Sequence, residues 1–343
     1  MSFYIIILFL LLTFTKSLDI KSNSNGFGYI LASCILLIIA VIRFDVGWDY
    51  RSYYTILDEK ILAGYIRFEP LCLLLSLIAM HFEMPELFFI LSSIIIYTTT
   101  FIAFKKFSVS PSLSLIVYLG LFYLISLSII RQALAISICL YAYKYVISRN
   151  FRKFILCIII ATLFHYSAII SLIIYPIFHK YKIKTVIIFL IIAIFSRNIF
   201  FFILGYFNLF TAYLDKLNDI EGGKFTRMFY LLILFSFFLL IKRKKYNPKE
   251  RSHLSVILVG LACPFLFGSA MGERIGYYFL IYYCYLIPLL VNNKSIGKRI
   301  IYVLIFSLYF ISTIYITSNI AGQKSAYTPY RTILSSDNKS FKE

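Results

Sequence analysis

The chain has 343 residues, 61% hydrophobic and only 14% charged, with 34 Lys and Arg against 15 Asp and Glu for a net charge of +19. Soluble domains are nearer half apolar and a quarter charged, so this composition and a mean hydropathy of +0.87 exclude a soluble globular protein and specify a polytopic membrane one. The basic surplus would suggest a nucleic-acid partner in a soluble chain, but here the charges are sorted by position along the sequence, and nucleic acid is excluded as a partner.

Apolar segments run from end to end: 2–15, 27–42, 69–82, 86–104, 111–129, 131–148, 152–164, 166–179, 184–203, 226–241, 252–270, 275–290 and 300–318. With lipid as solvent, every backbone group must bond within its own segment, so helices are expected throughout. The fold class is an all-α, polytopic integral membrane bundle of about 11–13 membrane segments, each judged against a hydrocarbon core of ~30 Å. The first segment lacks the basic leader and small-residue cleavage site of a secretory signal and is expected to be retained. Segments 152–164 and 166–179 are short for a span. The domain reading is one membrane domain over 1–318, with loops at 43–68 and 204–225 and a polar tail at 319–343; this loop and this tail are expected to be weakly ordered.

Basic clusters mark alternate connections: Lys16, Lys21, Lys105-Lys106, 149–153, 179–184, 242–251 and 292–299. With Lys144 they place 20 of the 34 basic residues on one side with only Asp19 and Glu250, giving +18 there and +1 opposite. This is the asymmetry that marks a cytoplasmic face. It also exposes a conflict. An odd number of crossings must separate 43–68 from Lys105, yet two apolar segments, 69–82 and 86–104, lie between them. Either 69–82 is re-entrant or the pair is one broken span.

The six cysteines (34, 72, 139, 157, 263, 284) are scattered through apolar segments without a C-x-x-C pair, which fits small buried hydrophobes. His81, His165, His179 and His253 show no metal-ligand spacing, and "GGKFT" at 222–226 lacks the earlier glycine of a phosphate loop. No metal site and no cofactor are expected. The informative groups gather at the outer ends of segments: Asp45, Asp49, Glu69, Asp215, Asp219, Glu221 and Glu273, with Arg43, Arg131, Arg227, Arg274 and His165. An Arg that opens an apolar segment, such as Arg131, carries a desolvation cost that calls for a reason, although snorkelling to the interface is the plain alternative. Arginines hold phosphate oxygens through two parallel hydrogen bonds. Aromatic rings beside carboxylates suit sugar faces. A diphosphate-linked sugar presented by a lipid would satisfy both sets.

The stretches "RFDVGWDYRSYY" (43–54), "RFEPLCLLLSLI" (67–78) and "SIIRQALAI…ATLFHYSAII" (128–170), followed by "GERIGYYFLIYYCYLIP" (272–288) and "YTPYRTIL" (327–334), resemble the EpsG family of bacterial exopolysaccharide and O-antigen (Wzy-type) polymerases. The likeness lies in R-x-x-x-G-x-D-Y-x-x-Y, an acidic residue before the next segment, I-R-Q-x-L-A, and A-x-x-F-H-x-S-A, in that order and over nearly the whole chain. Trp48 stands where the family pattern more often has a small polar residue.

The resemblance implies a GT-C-like bundle in the bacterial inner membrane with its active site facing the periplasm. The partners it implies are undecaprenyl-diphosphate-linked oligosaccharide repeat units, membrane lipids and a chain-length regulator protein. The implied reaction moves a growing glycan from its lipid diphosphate onto the non-reducing end of a fresh unit. Asp49, Glu69 and His165 are the implied catalytic residues, with Asp49 or Glu69 as base and His165 positioning substrate. Arg43, Arg131 and Arg274 would lie on the diphosphate, and Tyr50, Tyr53, Gln132, Arg227 and Tyr330 on the glycan. Gly47 would allow a tight turn. A lipid-linked oligosaccharide flippase and an O-antigen ligase are the alternatives. A flippase would favour charges at mid-membrane, and a ligase would share the donor but not the acceptor. A membrane O-acetyltransferase fits less well, because its acyl donor arrives on the side that here carries only basic loops.

Overall fold

A computed structural model describes residues 2–15, 26–60, 68–206, 246–291, 296–319 and 325–334. In chain order these form α1 (Ser2–Thr15), α2 (Phe27–Ile42), β1 (Arg43–Phe44), α3 (Tyr50–Asp58), α4 (Pro70–His81) and α5 (Pro85–Phe107). Then follow α6 (Pro111–Ser128), α7 (Ile130–Ile147), α8 (Phe151–Phe164), α9 (Tyr166–His179) and α10 (Ile183–Tyr206). The last are α11 (Pro248–Phe267), α12 (Ser269–Leu280), α13 (Tyr283–Val291), α14 (Ile296–Ser318) and β2 (Arg331–Thr332). The all-α membrane fold class is therefore observed. Among the described residues four helices (α5, α6, α11 and α14) are long and apolar enough to cross a membrane individually, and the pair α12–α13 qualifies as one span bent by 43°. Among the described residues α1, α2, α4, α9 and the Ile183–Ala193 part of α10 are shorter apolar stretches.

Local sequence explains most helix starts. Pro occupies the first turn of α4, α5, α6 and α11, where its missing N–H costs nothing and its fixed φ suits the helix. Asn247 and Glu250 form a reciprocal capping box, so α11 begins at Pro248, four residues before the apolar run that marks it in the sequence. Lys105 and Lys106 sit in the last turn of α5, where they complement the helix dipole. Segment 226–241 and Arg227 lie outside the described residues.

The chain divides into two compact units, Met1–Ile169 with Ile287–Glu343, and Ile170–Leu286. In the first unit α6 is the innermost element, with 94% of its apolar window buried, whereas α14 is peripheral at 39%. Gly120 sits in the π-helical turn Leu119–Tyr123 of α6. A Cβ at this position would lie 2.8 Å from the Phe306 carbonyl oxygen, so only glycine lets α14 approach this closely. Elsewhere α5 packs on both α2 and α7, and α8 packs on α7. In the second unit α11 packs on α12, and His253 is a structural histidine. It is fully buried, its Nδ1–H donates to the Lys249 carbonyl at 2.7 Å, and its ring meets Phe178 edge-on.

Two details correct the sequence expectation. Segment 275–290 is two helices meeting at a bend. The tail is ordered over 325–334, where Tyr327 is 1% exposed and β2 pairs antiparallel with β1, Arg43 opposite Thr332 and Phe44 opposite Arg331. The helix over 69–82 is held against α3. Near the start of α4, Glu69 meets Arg131, which Tyr53 also contacts. Just past its end, Glu83 accepts from Lys60 at 3.3 Å and Glu86 from Tyr54 at 3.2 Å. Both ends of a 12-residue helix, only ~18 Å long, are thus tied to α3 and the residue pair just after it. Helix α4 is held beside α3 at both ends, and of the pair α4 and α5 only α5 is long and apolar enough to cross a membrane by itself.

Candidate active site around Glu69

The turn out of α2 sets up the site. Asp45 takes φ +54° and Gly47 φ +115°, turning the chain so that α3 packs on α4 and α5. A Cβ on Gly47 would stand 2.3 Å from the Leu127 carbonyl oxygen, so position 47 excludes any side chain on both conformational and steric grounds. Asp45 accepts two parallel hydrogen bonds from Arg51, both 3.0 Å, and lies 3.6 Å from Arg331. This carboxylate therefore fastens the turn. Trp48 N–H donates to Ser128 Oγ at 3.1 Å, which fixes the turn against the end of α6.

Glu69 is the N-cap residue of α4, but its side chain makes no cap hydrogen bond. It reaches across to two other helices instead. Oε2 accepts from Arg131 Nη1 at 2.7 Å, and Oε1 lies 2.6 Å from His165 Nδ1. Arg131 is in the first turn of α7, just after the break at Ile129, and His165 is the extended C-cap of α8. Cys72 Sγ donates to the Phe164 carbonyl at 3.2 Å and draws α4 to that same helix end. The Glu69 side chain is 3% exposed, while those of Arg131 and His165 are 24% and 27% exposed. The cluster thus has a buried acid floor and two partly open basic groups.

Arg131 is held in a fixed pose. Its Nε donates to Tyr53 Oη at 2.9 Å, and its guanidinium carbon lies 5.0 Å from the Phe68 ring centroid and 5.8 Å from that of Tyr53, within cation–π range. Burial pushes the Tyr53 hydroxyl up to about 12 despite the opposing charge of Arg131, so it stays a neutral phenol whose oxygen accepts from Arg131. Burial also pushes the Glu69 carboxyl up, but the hydrogen bond from His165 and the charge of Arg131 outweigh it and hold the group below its ordinary value. An ionised Glu69 accepts only. His165 Nδ1 must then carry the proton it shares with Glu69, and in the neutral ring the lone pair sits on Nε2.

Of the residues singled out in the sequence, Glu69, His165, Arg131 and Tyr53 come together. Asp49 is the N-cap position of α3 and lies within electrostatic range of Tyr53 and Tyr327. Gln132 is 3% exposed in the interior beside Arg131. Tyr50 is fully buried and stacks on Phe89 at 3.9 Å. Arg43 is 1% exposed rather than displayed at a surface. Tyr330 donates to the Ile39 carbonyl at 2.5 Å and stacks on Phe3, a packing role within the ordered tail. Arg274 is an exposed residue of α12 in the second unit. The sequence reading missed Phe68 and Cys72, although both flank Glu69 within the stretch that drew attention to it. Among the described residues no three His, Cys, Asp or Glu stand close enough to hold a metal ion.

The EpsG family model matches residues 26–332, and the chain belongs to that family. No curated protein matches the chain significantly. No solved structure does so either.

Proposed function

We propose that this EpsG-family membrane protein is a polysaccharide polymerase of the bacterial inner membrane, working at the periplasmic face. Family membership carries the coarser statement, a polymerase-like role in polysaccharide biosynthesis. The observation that supports the finer one is the bridge by which Glu69 holds Arg131 and His165 together. Its proposed donor is a glycan on undecaprenyl diphosphate, and its acceptor is the non-reducing end of a fresh lipid-linked unit.

In the proposed reaction the acceptor hydroxyl oxygen attacks the anomeric carbon, and the bond from that carbon to the diphosphate breaks. The electron pair leaves on the diphosphate oxygen, and the hydroxyl proton passes to His165 Nε2. The geometry favours His165 over Glu69 as base, because both Glu69 oxygens are engaged and its carboxyl is held below its ordinary value. Glu69 then orients the imidazole and stabilises the imidazolium that forms, the role an acid plays behind a catalytic histidine. Arg131, pinned by Tyr53 and Phe68, presents positive charge for the departing diphosphate without reorganising. A chain-length regulator would act on the finished length and not on this chemistry.

The test is the glycan ladder of a deletion strain, complemented in turn with the wild type and with Glu69→Gln. Loss of long chains with a retained single-repeat band, restored only by the wild type, is the expected result. Loss of the single-repeat band as well would overturn the polymerase reading in favour of the flippase or the ligase.

A further inference from the structure

Trp48 is the only tryptophan in the chain, and its indole stands apart from the rings that flank it in sequence. Those rings form one aromatic stack: Phe44 meets Tyr50 and Tyr54 edge-on, and Tyr50 stacks on Phe89 at 3.9 Å. Among the described residues no ring packs on Trp48 and no cation lies over its face. The residue is half-buried, while its Nε1–H is shielded from solvent and has no acceptor. A buried indole N–H ordinarily finds a partner, and leaving it without one is costly. The backbone, by contrast, is firmly set. Trp48 N–H donates to Ser128 Oγ at 3.1 Å, and Gly47 N–H donates to the Ala326 carbonyl at 2.7 Å. The ring is carried on a fixed backbone but pinned by no hydrogen bond of its own.

This place adjoins the Glu69 cluster by two routes. Ser128, which accepts from the Trp48 N–H, precedes the break at Ile129 and the first turn of α7, where Arg131 lies. Asp49, the next residue, is half-buried, and its carbonyl accepts from Tyr53 N–H at 3.2 Å. Tyr53 Oη in turn accepts from Arg131 Nε at 2.9 Å. A flat apolar face, an N–H donor and a neighbouring carboxylate together match a sugar. The C–H face of a pyranose lies on the ring, one hydroxyl oxygen accepts from the indole, and another hydroxyl donates to the carboxylate. A phosphate at this spot would meet the like charge of Asp49, and an acyl chain would leave the N–H without an acceptor. An interfacial anchor keeps its polar edge in the wet headgroup region, whereas this N–H is shielded.

We propose that Trp48 is a sugar subsite beside the Glu69 cluster: the indole carries the C–H face of one sugar of the glycan, and Nε1–H turns to donate to a hydroxyl oxygen of that sugar. That the sugar belongs to a lipid-linked repeat unit rests on the polymerase reading above; the subsite itself does not. Trp48 acts in binding and takes no part in the proton transfer at His165, so it selects which sugar stands next to the reacting groups.

A single tryptophan makes the wild-type protein its own probe. The full-length protein in lipid nanodiscs is titrated with the repeat-unit oligosaccharide cut from the host strain's own polysaccharide, and tryptophan emission is followed. A saturable change in emission, with protection from the aqueous quencher acrylamide, is the expected result. Emission and acrylamide quenching that ignore the oligosaccharide overturn the subsite. Strong quenching in nanodiscs of brominated phosphatidylcholine, unrelieved by the oligosaccharide, overturns it too and makes Trp48 an interfacial anchor. Initial rates with lipid-linked repeat units give a second readout. Trp48→Phe keeps a ring face and loses the donor, so KM should rise roughly two- to tenfold, the scale of one neutral hydrogen bond. Trp48→Leu loses the face as well and should raise KM further. An unchanged KM in Trp48→Leu, or a loss confined to kcat, overturns the subsite and leaves the polymerase reading intact. Saturable oligosaccharide binding at Trp48 in a protein that transfers no glycan would overturn the polymerase reading and leave the subsite standing.

Discussion

Glu69 and His165, 96 residues apart in the chain, face each other across a 2.6 Å contact between Oε1 and Nδ1, and the other Glu69 oxygen is occupied by Arg131. One carboxylate therefore fixes both the tautomer of the histidine and the pose of the arginine. Three helix ends, those of α4, α7 and α8, meet at this single side chain.

If His165 accepts the proton, His165→Asn should lower the rate of glycan transfer by ~10²–10⁴, the usual worth of a positioned base. The thermal midpoint should change little, since the ring is partly exposed. Initial rates with purified protein and lipid-linked repeat units check this. A wild-type rate for His165→Asn would return the base to Asp49 or Glu69.

Glu69→Gln should act on both folding and rate. It leaves Arg131 and His165 without their charged acceptor, a loss of about 1–3 kcal/mol for donors stranded in a poorly hydrated place. Because the folded-state carboxyl is held below its ordinary value, its stabilising contribution is present above the unfolded pKa and is lost as pH falls through the depressed folded one. Thermal midpoints of wild type and Glu69→Gln should therefore differ at neutral pH and converge below the ordinary carboxylate range, about pH 4. Parallel curves across that range would show that Glu69 is not ionised as described.

Arg131→Lys keeps the charge but loses the fork that bridges Glu69 and Tyr53, so transfer should fall ~10²–10³, as for loss of a donor that stabilises transition-state charge. Tyr53→Phe removes one hydrogen bond, about 0.5–1.5 kcal/mol, and should slow transfer far less. The comparison is made at matched membrane expression. Equal rates for the two variants would reduce Arg131 to an interfacial anchor.

Gly47→Ala should be among the most disruptive small substitutions in the chain. It combines a positive φ, costing about 1–3 kcal/mol for a residue with a Cβ, with a 2.3 Å approach to a backbone oxygen that cannot yield. Yield of folded protein in mild detergent checks this.

The path of α4 predicts a labelling pattern. Single cysteines at Asp58 and Glu83 should both react with an impermeant maleimide from the same side of the membrane, and one at Lys105 from the other. Opposite sidedness for positions 58 and 83 would make α4 a crossing helix after all.

Composition and apolar run length were enough to determine an all-α membrane protein and to place most helices within a few residues, because lipid leaves the backbone no other way to satisfy its own hydrogen bonds. The motif spacing was likewise enough to pick out Gly47, Glu69, Arg131 and His165, since a charged or conformationally special residue stands out against hydrocarbon. What these residues do to one another was decided only in three dimensions. A line of sequence carries no distance between positions 69, 131 and 165, so it could not show that the carboxylate is spent on two neighbours and that the histidine keeps the open nitrogen. Nor could it show that Arg43 is enclosed instead of displayed, because Arg at a segment end reads the same whether it snorkels or is buried. The tail looked polar and loose for the same reason. Its order comes from Tyr327 and Tyr330 packing where α1, α2 and β1 meet, through hydrogen bonds made 323 and 291 residues away along the chain.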